Sequence, residues 1–210
     1  VIEAKRPDSR NENKSTNSEA ISQHIRNQGQ AEIPHLYAYS QLLLSINGHE
    51  GLYATCGTAE KFWAKWKEEN SHLGIPEAEF VRLKNHKLSD EQINNLFDHR
   101  PATDKKEYQS LIAAGDLTVT DQDRLIVSLL RPDRLLKMTR LFTLFDKKAG
   151  KIVARYQQVF GIKALIERIT TFDEQGAREG GVIWHTTGSG KSFTMVFLSK
   201  ALIWLEDLTQ

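Results

Sequence analysis

One cysteine, Cys56, occurs in 210 residues, so no disulfide can close within the chain and no cysteine cluster can hold zinc. That usage suits a reducing, cytoplasmic setting. No apolar run approaches the ~20 residues that cross a bilayer, so no membrane partner is expected. Charge of one sign is missing too. The 28 Lys and Arg oppose 27 Asp and Glu for a net charge of +1, which leaves any binding of nucleic acid to local features. Seven histidines are scattered without an H-x-x-x-H pair, which argues against a zinc site. With 40% hydrophobic and 26% charged residues, the composition excludes collagen-like, coiled-coil and wholly disordered readings. The length suits one complete domain or two partial ones.

Val1-Ile2-Glu3-Ala4-Lys5 reads as a short strand, in which alternation sends Glu3 and Lys5 to the same face. Residues 7–18 are polar and turn-rich, a loop. Ser18-Glu19 signals a helix over about 19–31, with Ala20, Ile21 and Ile25 along one side. Leu42, Leu44 and Ile46 alternate before the Asn47-Gly48 turn signal, and Leu52 to Cys56 follows, which predicts a β-hairpin. Phe62, Trp63 and Trp66 fall on one face of an expected helix, with Lys61, Lys65 and Lys67 largely on the other, a pattern of core packing rather than base stacking. Helices are expected after Ser89, after Thr120 and from Pro132, the last carrying Leu135, Leu136, Met138, Leu141, Phe142 and Phe145. Lys147 to Lys151 marks a break, and a further helix is expected over about 155–171. The chain contains no internal repeat. Val1-Ile2 reads as the middle of a strand and Leu202 to Leu205 as an unfinished apolar helix, so the sequence is expected to be a fragment.

The strongest signal lies near the end. Gly180-Gly181-Val182-Ile183-Trp184 is expected to be a strand running into His185-Thr186-Thr187-Gly188-Ser189-Gly190-Lys191-Ser192, followed by an apolar helix from Phe193. Strand, glycine-rich turn and helix in this order make a phosphate-binding loop. Backbone N–H groups point inward at phosphate oxygens, and the positive end of the helix adds to them. Lys191 supplies a charge for the β- and γ-phosphates and Ser192 a hydroxyl for Mg²⁺. His185 occupies the motif's first glycine position. No second, acidic strand of the kind that positions water is visible before the chain ends 18 residues beyond Ser192.

The wording around this loop, with Ala154-Arg155-Tyr156-Gln157-Gln158 before it, resembles the motor region of the R subunit of type I restriction–modification enzymes. The opening VIEAKRP resembles the second half of that subunit's PD-(D/E)xK nuclease motif, and the stretch from Ala20 to Thr58 resembles the segment that follows it. The resemblance implies an α/β chain in three parts. These are the C-terminal part of a nuclease domain (1–68), a mainly helical connector (69–150) and the start of a RecA-like P-loop motor (151–210). It further implies an ATP- and Mg²⁺-dependent enzyme that translocates along and cuts double-stranded DNA, with methylation and specificity subunits as partners.

Residue by residue, the resemblance implies that Glu3 holds Mg²⁺, that Lys5 stabilises charge and orients the attacking water, and that Gln23 contacts DNA or orients the site. Asn27 stands where the family's Q-x-x-x-Y pattern has Tyr. Gln158 is the candidate adenine-reading amide, with Arg155 and Tyr156 beside it and Gln157 as its competitor. Thr187, Gly188, Ser189, Gly190, Lys191 and Ser192 would cradle the triphosphate, Ser192 through Mg²⁺. Two other readings remain open: a catalytically inert gene remnant and an ATP-binding regulatory module. The 210 residues alone are expected to lack nuclease and ATPase activity.

Overall fold

A computed structural model describes residues 1–7, 15–115, 117–147, 150–178, 180–184, 186 and 188–204. Its first layer is a mixed three-stranded sheet. Strand β1 (Ile2–Ala4) pairs in parallel with β2 (Leu43–Ile46), which pairs antiparallel with β3 (Gly51–Ala54). The predicted hairpin is therefore present, with Leu44 opposite Tyr53.

One face of the sheet is covered by α1 (Thr16–Asn27) and α2 (Pro34–Tyr39). Helix α1 starts three residues earlier than the sequence suggests, because Ser15 rather than Ser18 caps it by accepting from the Ser18 N–H. The added turn is anchored to the sheet by polar side chains: Ser45 Oγ donates to Asn17 Oδ1 (2.9 Å) and Asn47 Nδ2 to Thr16 Oγ1 (2.8 Å). Ile21 packs with Leu43, Ala54, Tyr37 and Trp63 on this side.

The opposite face carries the larger core. Leu42, Leu44 and Tyr53 meet Leu125 and Leu129 of α6 (Asp121–Leu130), Met138 of α7 (Pro132–Arg140), Val159, Phe160 and Ile162 of α8 (Tyr156–Thr170), and Phe197 of α9 (Lys191–Ile203). Residues from all three stretches of the chain thus share one buried cluster. The predicted helices after Ser89 and Thr120 are both closed by capping boxes, and the expected helix over 155–171 is α8. Between them, α3 (Glu77–Lys84), α4 (Asp90–Phe97) and α5 (Ala102–Ala113) make a polar arm, in which α4 and α5 bury no residue.

Three expectations fail. Phe62, Trp63 and Trp66 do not share a helix: a single 3₁₀ turn at Glu60–Phe62 gives way to extended chain, where Ala64 bridges Tyr53. Trp63 is buried on the α1 side and Trp66 on the other, while Phe62 stays 55% exposed. Edge pairing with β3 overrides the helical spacing.

The helix from Pro132 does not reach Phe142 and Phe145. Thr143 Oγ1 folds back to donate to Met138 O at 2.9 Å, and the chain turns into a hairpin of β4 (Thr143–Asp146) and β5 (Gly150–Val153). Phe142 is buried and Phe145 is not. The expected break contains Lys148 and Ala149, which lie outside the described residues.

Finally, Gly180 to Trp184 is not a strand. Among the described residues no strand lies beside it to accept its hydrogen bonds, and Val182 and Trp184 are each 91% exposed.

Candidate functional site

Two sites flank the shared core. The first grows from β1. Alternation along the strand puts Glu3 and Lys5 on the α1 side, where Lys5 Nζ lies 3.0 Å from Glu3 Oε1 and also donates to Gln23 Oε1. The three residues singled out from the sequence therefore meet in one partly buried cluster. Next to Gln23 on α1, His24 is fully buried and hydrogen-bonded at both ring nitrogens, to Tyr37 OH and to Leu44 O, each at 3.0 Å. A carbonyl only accepts, so Nε2 carries the proton and Nδ1 accepts from the tyrosine hydroxyl. Burial holds the His24 pKa below its ordinary value, against the opposing pull of the Leu44 carbonyl. Trp63 stacks on the imidazole at 5.3 Å between centroids. The sequence gives no sign of this buried histidine, because its partners lie 13 and 20 residues away.

Among the described residues Glu3 is the sole carboxylate of the cluster, and no group of three or more His, Cys, Asp or Glu is arranged to hold a metal. A hard divalent cation takes about six oxygen ligands. The described residues therefore do not make a metal site by themselves at Glu3.

The second site is built where α8 meets α9. Gly190 starts α9 in a left-handed conformation (φ +84°), and a Cβ there would sit 2.9 Å from Gln158 Nε2. Only glycine suits that position, for both backbone and space. Gln158 is buried, and its amide is engaged at both ends: Oε1 accepts from the Arg155 N–H at 2.8 Å and Nε2 donates to Gly190 O at 3.0 Å. It ties the start of α8 to the phosphate loop.

Gly188, Ser189 and Gly190 line a cavity of about 560 Å³ together with Arg155 and Gln158. Its opposite wall comes from β5 and from the loop after β3, including Lys151 and Phe62. Among the described residues Ser189 Oγ is buried without a hydrogen-bond partner, a polar group left for a ligand to satisfy. Lys191 and Ser192 stand exposed on the first turn of α9, and Lys191 Nζ reaches Thr186 O at 3.4 Å. Tyr156 and Gln157 face elsewhere, into a separate groove of about 950 Å³ beside residues 181–184. His185 and Thr187 lie outside the described residues. Phe62, read from the sequence as core, is instead a cavity wall.

A third cluster, invisible in the sequence, holds the frame. Glu68 and Arg134 pair at 2.7 Å, nine-tenths buried, and Glu68 also accepts from Ser128 Oγ (2.6 Å) and Trp66 Nε1 (2.7 Å). Burial pulls its pKa upward but is outweighed by these donors, so the carboxyl titrates below its ordinary range.

Comparison with known proteins gives two family matches. The family described as type I restriction enzyme R protein N terminus covers residues 1–62, and SWI2/SNF2 ATPase covers residues 157–209. A Methanocaldococcus jannaschii protein named for a type I restriction enzyme MjaIXP endonuclease subunit is 26% identical over 181 residues, 84% of this chain. The type I restriction enzyme HindI endonuclease subunit of Haemophilus influenzae is 38% identical over 84 residues, 38% of this chain. The Staphylococcus aureus type I restriction enzyme SauCOLORF180P endonuclease subunit is 35% identical over 82 residues, 39% of this chain. These matches span only 15%, 8% and 8% of the respective relatives. No described helix is long and apolar enough to cross a membrane.

Proposed function

We propose that the chain is part of a type I restriction endonuclease R subunit, to whose N terminus residues 1–62 match, and that it joins part of a DNA-cleaving site to the ATP-binding loop of a DNA motor. In this reading the whole protein hydrolyses ATP to move along double-stranded DNA and cuts it with Mg²⁺. Methylation and specificity subunits are its partners, and the parts follow the order nuclease (1–68), connector (69–150) and motor (151–210). The observation that carries the reading is the phosphate loop itself. The Ser189 hydroxyl, without a partner among the described residues, and the left-handed Gly190 line a cavity beside the core on one face of the sheet, while Glu3, Lys5 and Gln23 cluster on the other face.

A nucleotide fits this loop. Gly188 to Gly190 bring backbone within reach of phosphate, and the first N–H groups of α9 lack intrahelical acceptors. Lys191 extends a compact charge from the same turn, and Ser192 presents a hydroxyl for Mg²⁺ held with the phosphates. When bound, ATP with Mg²⁺ supplies the phosphoryl group whose transfer drives the motor. Arg155 stands on the cavity wall, while Gln158 sets the loop's position through Gly190 O.

At the other site, Lys5 carries the positive charge suited to an anionic phosphodiester, held in place by Glu3 and Gln23. Glu3 becomes a metal ligand only where further oxygens join it.

Titration calorimetry with ATP and Mg²⁺ tests the nucleotide reading on the 210-residue chain. Saturable binding that Lys191→Ala weakens at least tenfold is expected, on the scale of a lost charge-assisted contact. Absence of binding, or equal binding by the variant, overturns it.

A further inference from the structure

The Gln158 amide spends one acceptor site on Arg155 N and one N–H on Gly190 O, which leaves a second site at each end for the edge of a base but nothing to cover the face of its ring. Stacking on the face of a base seated above the phosphate loop must therefore come from other residues of the cavity. Three aromatic side chains line it: Tyr53, Phe193 and Phe62. Tyr53 is buried, and its hydroxyl is spent on Ala154 O at 2.9 Å. Phe193 stands on the first turn of α9, and its ring would lie 3.8 Å from a Cβ on Gly190, so it sits against the phosphate end. Phe62 belongs to the opposite wall and is 55% exposed, with Lys61 Nζ 5.0 Å from its ring centroid.

The loop that carries Phe62 is held before any ligand arrives. Gly57 N donates to Gln28 Oε1 (2.7 Å), Phe62 N to Ala59 O (2.9 Å), and Trp63 Nε1 to Thr58 O (3.3 Å). The next residue, Trp63, is the one stacked on His24. An exposed aromatic on a fixed loop, facing a phosphate loop across a cavity of nucleotide size, is the arrangement that stacks a base without choosing among bases.

We propose that Phe62, in the loop after β3, forms the base-stacking wall of the nucleotide cavity. The inference rests on the nucleotide reading above. It makes the sheet that carries Glu3 and Lys5 a part of the nucleotide site, through Phe62, Trp63 and His24.

The test compares ADP with Mg²⁺ against inorganic tripolyphosphate, titrated into the 210-residue chain and its variants, with circular dichroism melts as the folding control. Phe62→Ala is expected to weaken ADP roughly tenfold and leave tripolyphosphate unchanged, whereas Phe62→Trp keeps ADP affinity within about threefold of the parent. Lys191→Ala should weaken both ligands. If Phe62→Ala binds ADP as the parent does, or loses both ligands alike, the base-stacking role is overturned while the phosphate loop stands. If the parent binds neither ligand, the nucleotide reading falls and this inference with it.

Discussion

Lys5, at the end of β1, donates its ammonium to the side-chain amide of Gln23 on α1, 18 residues later, and the same ammonium pairs with Glu3 at 3.0 Å. The link fastens helix to sheet as well as aiming the lysine. Gln23→Ala should lower unfolding free energy by about 1–2 kcal/mol, the range for a hydrogen bond to a charged group, as read by urea denaturation. An unchanged midpoint would mean that the contact is idle in solution.

Because the described residues provide one carboxylate and no metal cluster at this site, the purified 210-residue chain is expected not to cut plasmid DNA in Mg²⁺. A gel assay with Lys5→Ala as the control decides the matter. Cleavage that the parent performs and the variant loses would sink the expectation.

Glu68 and Arg134 are joined at 2.7 Å in the core, with Trp66 and Phe160 packed about the guanidinium. Glu68→Ala strands a buried cation and should cost about 3–5 kcal/mol by chemical denaturation. The double replacement Glu68→Leu with Arg134→Met should cost less than the single one. The depressed Glu68 pKa adds stability that is present above the ordinary value of 4.5 and fades as pH falls through the lower folded value.

His24 contributes in the same direction, at higher pH. Its folded pKa lies below the ordinary 6.5, so between those two values the unfolded chain binds more protons than the folded one. Stability is therefore expected to be full above pH 6.5 and to decline as pH drops below it. Melting curves from pH 7.5 to 5.5 should flatten in His24→Gln, whereas the same slope in parent and variant would assign the effect to another group.

Gly190→Ala adds a methyl group 2.9 Å from Gln158 Nε2 at a left-handed backbone position. Backbone strain of about 1–2 kcal/mol and displacement of the Gln158 amide should follow. The expected outcome is loss of nucleotide binding with a nearly unchanged far-ultraviolet spectrum. Parent-like affinity in calorimetry would show that the loop tolerates the change.

The elements read correctly in advance are those written within a few residues. Ser89 with Gln92 and Thr120 with Asp123 close capping boxes over one helical turn, and alternation around Asn47-Gly48 yields the hairpin. Lys5 and Glu3 could be placed together because two positions along any strand share a face. Where competing partners lie far away, spacing misleads. Trp63 and Trp66 have the spacing of a helix face, yet Ala64 is held by Tyr53, and the two indoles part to opposite sides of the sheet. Gly180 to Trp184 has strand composition but no strand beside it among the described residues.

Sequence alone settled the helix starts after Ser89 and Thr120 and at Pro132, the hairpin, the glycine-rich turn before Lys191 and the shared face of Glu3 and Lys5. Each depends on backbone geometry and hydrogen bonds spanning a handful of residues. Folding in space chose the partners: Gln23 for Lys5, Gly190 for Gln158, Arg134 for Glu68, and a cavity for Phe62. Those contacts join side chains 18 to 66 residues apart, or set a loop against a helix, and nothing local distinguishes the right partner until burial removes water from the alternatives.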